Sequence, residues 1–349
     1  MRSIGERSAR AVKLVFTAAV LGALFHFVGW EEIWAGLSAA RLRPLAGMYA
    51  VVVVNFVLAA ASLRLILTKS GVEVSLRRVL VSNALSNAYA LVLPGDLAAG
   101  VSKWMVLSAA TGERAKVFVG IVLNKLVFAV PPLVFGTIAL AWEDPIPGVP
   151  IVAWVMLCGG VCVGAALVLL HPRWGVATVE RIARAAAPLP EGVRNGFRKI
   201  ADALDLVRQF RLADHLQIFA LAALITGLGV VSLGLAVDAL GASVPISTLV
   251  WIPLGLFLSR LLPITVGNLG LREGLLIVAL GIHHVDPAVA VGVGLALFSH
   301  GILLGLIGAA CQIAIGLGWT TLARDSGPLP PVLDAGASKP DEVPLVDGD

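Results

Sequence analysis

Six ionisable residues stand in otherwise apolar stretches: Asp96, Lys103, Lys125, Arg260, Arg272 and Glu273. Carrying a charge into hydrocarbon costs at least about 2.5 to 3.5 kcal/mol on insertion scales, so each needs a partner or a task. Four cations face two acids. If Arg272 pairs with Glu273 or Asp96, positive charge is left for an external anion. Arg suits phosphate through its planar fork, and Lys does so as a point charge. Half-helices beginning after Pro94 and Pro263 would add N-terminal backbone donors for the same anion. The competing explanation is structural: Lys103 and Lys125 snorkel to an interface, and Arg272 closes an ion-pair network.

Other polar groups carry less. Asn83, Asn87 and Asn124 are accounted for by hydrogen bonds between helices, and His26 and His300 by local hydrogen bonds. His283, His284 and Asp286 have the composition of a metal cluster but share a short loop, so neither metal nor cofactor is expected. Cys158, Cys162 and Cys311 sit in apolar stretches without metal or disulfide spacing and read as small buried hydrophobes.

The rest of the chain says what must hold these groups. Of 349 residues, 58% are hydrophobic and 14% charged, with a mean hydropathy of +0.93, against roughly 25% charged in an ordinary soluble domain. The expected fold is an all-α polytopic membrane protein. Residues 14–30, 44–67, 117–142, 149–170, 214–239 and 287–319 are each long enough to cross about 30 Å of hydrocarbon, which gives about six full crossings. Glycines around His300 leave open a kink in the last one. Net charge is +4, but residues 325–349 hold six acids and one Lys, leaving +9 on the membrane body at 1–324. The tail reads as a disordered acidic appendage, and an interfacial helix is expected at about 190–211.

Lys and Arg set the orientation. The N-terminal tail has four, residues 64–78 four, 111–116 two and 171–213 eight, whereas 143–148, 240–247 and 282–286 have none. The expected arrangement is multi-pass in the plasma (inner) membrane with both termini cytoplasmic. Trp30, Trp34, Trp142 and Trp251 fall at the outer boundary as an aromatic belt.

Two apolar regions are too short to span. Residues 79–93 stop at Leu93-Pro94-Gly95 and are followed by 97–108; residues 248–262 stop at Leu262-Pro263 and are followed by 271–281. They read as re-entrant helical hairpins entering from opposite faces. Pro94 and Pro263 are 169 apart, as are Lys103 and Arg272. The two halves, about 44–142 and 214–319, are therefore expected to form an inverted repeat whose broken helices line a midplane cavity, with Pro94, Gly95, Pro263, Gly267, Gly270 and Gly274 making the breaks.

The run Leu262-Pro263-Ile264-Thr265-Val266-Gly267-Asn268-Leu269-Gly270-Leu271-Arg272-Glu273-Gly274 resembles the signature of the flippase-like membrane domain of lysylphosphatidylglycerol synthases and of stand-alone proteins of that superfamily. Asn87 to Lys103 is similar to the family's first-half motif. Asn124-Lys125 departs from an acid-base pair expected there, and Lys103 stands where Arg is common. The resemblance covers about residues 10–320 and implies a translocase or scramblase for an anionic or polyprenyl-phosphate-linked lipid. The substrate-binding set is then Arg272, Glu273, Lys103, Asn87, Asp96, Lys125 and Arg260. No aminoacyl-transferase domain follows the last span, so lysyl transfer is not expected, and no nucleotide-binding run suggests ATP coupling. The expected partners are the bilayer and a lipid with an anionic headgroup, not nucleic acid; a homo-oligomer is compatible with the sequence. Two alternatives stand beside this reading: a secondary transporter of a small soluble anion, and a lipid-modifying membrane enzyme.

Overall fold

The structure, a computed structural model, describes residues 40–92, 96–143, 210–261 and 270–315, together with positions 31 and 38. The crossings expected at 14–30 and 149–170, nearly all of the interfacial helix and the acidic tail lie outside the described residues. Eight helices make up the described architecture: α1 (Leu42–Lys69), α2 (Leu76–Val92), α3 (Asp96–Thr111), α4 (Arg114–Glu143), α5 (Leu212–Ala239), α6 (Ile246–Leu261), α7 (Leu271–Gly281) and α8 (Pro287–Ile315). No strand occurs among the described residues.

Four of these, α1, α4, α5 and α8, are long and apolar enough to cross a membrane. Their outward residues are the wrong kind for water: Val53, Val57, Phe118, Ile138, Leu224 and Val231 are all exposed. Hydrocarbon solvates such a surface, and each helix satisfies its own backbone. Two adjacent prolines, Pro131 and Pro132, sit buried inside α4, where the lost backbone bonds are tolerable because neighbouring helices pack around them. The last span is a single helix through His300, without the break its glycines suggested.

The other four helices are short. α2 and α3 flank residues 93–95 and pack together, as α6 and α7, on either side of residues 262–269, also do. Around them lie two apolar cores. One gathers Leu63 and Leu67 of α1, Val79 of α2, Leu107 of α3 and Val117 of α4. The other gathers Leu233 of α5, Ile252 of α6, Leu276 of α7 and Val293 of α8.

The two sets keep a common spacing. α1 runs 42–69 and α5 runs 212–239, both 28 residues and offset by 170 at each end. Each stops in the same way. Gly71 and Gly241 take φ of 72° and 77°, Val72 N–H donates back to Leu67 O at 2.9 Å, and Ala242 N–H donates to Val237 O at 3.1 Å. This is a Schellman stop, which needs a residue free to adopt positive φ. The offset recurs at the starts of α2 and α6, 76 and 246, and at the ends of α3 and α7, 111 and 281.

α1 and α5 run antiparallel and are tied at both ends. Lys69 Nζ meets Asp214 Oδ1 at 2.6 Å, and Arg41 Nη1 meets Asp238 Oδ1 at 3.1 Å. α8 instead touches both hairpins through glycine. A Cβ at Gly308 would fall 2.0 Å from the carbonyl oxygen of Ala84 in α2, and one at Gly294 would fall 3.0 Å from Cγ of Glu273 in α7. The two glycines are 14 residues apart, about 3.9 turns, so they lie on nearly the same face.

Candidate functional site

The site begins with a turn that only glycine makes cheaply. Gly270 adopts φ 85° and ψ −50° immediately before α7, a region closed to side chains by steric clash. This turn starts a helix of 11 residues, about 16 Å long and unable to span a bilayer. The third residue of the helix is Glu273. Its Oε2 accepts the Gly270 N–H at 2.6 Å, so a carboxylate caps the helix end where the dipole favours negative charge.

The other carboxylate oxygen faces Arg272. Oε1 accepts from Nε at 2.9 Å and also from Nη2. Both residues are buried, Glu273 to 1% exposure and Arg272 to 9%. The guanidinium carbon lies 5.3 Å from the ring centroid of Phe298 on α8, within range of a cation–π contact. Gly294, one helical turn earlier on α8, presses against the carboxylate. The pair is thus held from three sides: by the Gly270 turn, by the Phe298 ring and by the bare backbone at Gly294.

The charges of this pair cancel, yet its hydrogen-bonding capacity does not. Glu273 offers Oε1 to Arg272 and Oε2 to the backbone, while the guanidinium carries five N–H donors in a fixed fork. An anion reaching the guanidinium would meet charge-assisted donors at a buried position, where such bonds are strong.

The first half places its polar residues differently. Lys103 lies on α3, where its carbonyl accepts from Ser82 Oγ of α2 at 3.5 Å. Lys125 lies on α4 with its Nζ 3.5 Å from where a Cβ at Gly100 would sit, so the small residue on α3 makes room for the ammonium. Asn124 accepts from Ser62 Oγ at 3.3 Å and ties α4 to α1. Asn87 is partly buried on α2. Asn83 Oδ1 and Ser108 Oγ are buried with no hydrogen-bond partner among the described residues. Asp96 opens α3 and Arg260 falls in the last turn of α6, but their side chains, like Pro94, Gly95, Pro263 and Gly267, lie outside what is described. Gly274 faces open space.

The helix boundaries also bear on which residues correspond. The prolines and the ends of α2 and α6 are 169 apart and match Lys103 with Arg272; the ends of α3 and α7 are 170 apart and match Lys103 with Glu273. The one-residue difference falls between the ends of the hairpin arms.

A second polar cluster was not anticipated. At the C-terminus of α4, Glu143 Oε1 accepts from Thr248 Oγ1 at 2.6 Å and lies 2.6 Å from His283 Nε2, while Oε2 accepts from Trp251 Nε1 at 3.0 Å. Thr248 and His283 are themselves 2.7 Å apart. The cluster clasps both arms of the second hairpin to α4. Trp251, expected in the aromatic belt, is 8% exposed, because its indole N–H is spent on the carboxylate; Trp142, at 87% exposure, has the position expected of a belt residue. No group of three or more candidate metal ligands occurs among the described residues. His283 instead bonds to Glu143, 140 residues away, and no local pattern signals such a pair.

Over residues 10–321 the chain matches the family described as the lysylphosphatidylglycerol synthase TM region. No curated protein matches it. A match of that extent covers every described helix, and the chain belongs to this family of multi-pass membrane proteins.

Proposed function

We propose that this chain moves a lipid with an anionic headgroup, either an anionic phospholipid or a polyprenyl-phosphate-linked lipid, between the leaflets of the cytoplasmic membrane. One observation carries the reading: the Arg272–Glu273 pair is buried at the start of a helix too short to span. Ionisable residues at such depth are costly and serve function by default, and membership of a lipid-handling family favours a lipid over other anions. The headgroup's phosphate would dock on the Arg272 guanidinium, with Lys103 and Lys125 supplying further positive charge along its way.

The architecture fits this reading. The 170-residue offset and the paired helix stops support an inverted repeat with two re-entrant hairpins; about six full crossings with both termini in the cytoplasm complete the proposed arrangement. In such folds, half-helix ends meet substrate near the midplane. Movement would be passive or ion-coupled, and the chain would not itself modify lipid.

Proteoliposomes carrying the full chain test this. Headgroup-labelled phosphatidylglycerol, a polyprenyl phosphate and phosphatidylcholine are each followed by a quencher confined to the outer leaflet. Movement of the anionic lipids above protein-free vesicles, abolished by Arg272→Gln with Glu273→Gln, is the expected result. Uptake of free phosphate without lipid movement would replace the reading with a soluble-anion transporter.

A further inference from the structure

A cleft of about 230 Å³ opens between α1, α5 and α8 near the Arg41 end of the bundle. Its walls are Leu45, Leu240, Leu295 and Ala296, and its floor is closed by Tyr49 and Ser299, whose hydroxyls share a hydrogen bond at 2.6 Å. Ser299 Oγ donates to the Ala296 carbonyl at 2.7 Å, which leaves Tyr49 as the donor to Ser299; both protons are thus spent within the protein, and the rest of the lining is apolar. An apolar cavity of about 150 Å³ already takes up benzene, so this one has room for a longer hydrocarbon segment.

The mouth is different. Ala40 lies at its edge, next to the Arg41–Asp238 ion pair, whose side chains are 63% and 53% exposed. An exposed pair of this kind contributes little and separates readily. From Arg41 down to Tyr49 is eight residues of α1, or about 12 Å. Charge of both signs at a membrane surface, above an apolar slot running into the hydrocarbon, is the shape of a phospholipid standing in its own leaflet.

We infer that this cleft holds one acyl chain of a zwitterionic phospholipid, its phosphate on Arg41 and its ammonium on Asp238. Charge complementarity chooses the occupant, since a purely anionic head would face Asp238 unpaired. The site is separate from Arg272 and does not depend on lipid movement there.

The test uses the full chain reconstituted with phosphatidylethanolamine whose acyl chain carries a diazirine near its midpoint, the depth at which Tyr49 and Ser299 lie. Photolysis and peptide mapping should place adducts on Tyr49, Leu295 or Ser299 in preference to the lipid-facing Val231. Ala296→Phe, which fills the slot, should lower that yield about tenfold; if it lowers folded yield, Ala40→Trp at the mouth takes its place. Asp238→Asn should shift retention from phosphatidylethanolamine toward phosphatidylglycerol, read by native mass spectrometry. Adducts no more frequent in the cleft than at Val231, or unchanged by the filling variant, would overturn the inference. Arg272→Gln with Glu273→Gln should leave the cleft adducts unaltered, so an unsubstituted chain that retains this lipid but moves none would sink the translocase reading alone.

Discussion

Gly294 lies against the carboxylate of Glu273, close enough that a Cβ there would be 3.1 Å from Oε1. The contact joins a spanning helix to the capping residue of a short one. Gly294→Val should therefore push Glu273 off Arg272 and the Gly270 N–H. Lipid movement should fall steeply while the protein still inserts, which flux assays alongside detergent-solubilised monodispersity will show.

The buried pair predicts a particular pattern of rescue. Arg272→Gln alone strands a carboxylate at 1% exposure and should destabilise by about 3 to 5 kcal/mol. Adding Glu273→Gln should recover most of the thermal stability but none of the lipid movement. Recovery of both would make the pair purely structural.

The Glu143 clasp carries a stability prediction of its own. Glu143→Gln weakens bonds to Thr248, Trp251 and His283 at once, and hydrogen bonds to charged groups are worth about 1.5 to 3 kcal/mol each. A loss of at least about that size is expected, with a changed Trp251 emission as the indole loses its acceptor. An unaltered melting curve would show that the clasp is open in the membrane.

Gly308 offers a cleaner steric case. A Cβ there meets backbone, the Ala84 carbonyl at 2.0 Å, which cannot swing aside. Gly308→Leu should cost more than the about 1 to 3 kcal/mol usual for overpacking and reduce folded yield. Gly227→Ala, which meets nothing within 4 Å, should be neutral or mildly stabilising.

The hairpin topology is open to labelling. Cysteines introduced near Gly71 and Gly112 should react from the cytoplasmic side, and ones near Gly241 and Gly281 from the opposite side. Labelling of Gly71 and Gly112 from opposite faces would make the first hairpin a true crossing.

What the sequence made legible follows from the period of its signals. Long apolar runs gave α1, α4, α5 and the start of α8 within three residues, because hydrocarbon thickness sets length directly. Prolines marked the breaks, and Arg272 with Glu273 stood out as charge in apolar surroundings. Orientation inside the site did not show. That Glu273 turns back to cap its own helix, and that Phe298 and Gly294 close over the pair, depends on how α8 packs. Position 143 fell in the loop 143–148 and Trp251 read as a belt residue, since the partners joining Glu143 to Thr248 and Trp251 lie more than 100 residues away.

Because α8 is pinned to one hairpin by Gly294 and to the other by Gly308, the stretch between them is length-locked. Inserting a single residue would turn the second glycine by about 100° and advance it by about 1.5 Å, swinging a side chain into Ala84 in its place. Substitutions on the outward face of that stretch can accumulate freely, but insertions and deletions cannot. Aligned relatives should therefore vary in letters across residues 295–307 and never in number.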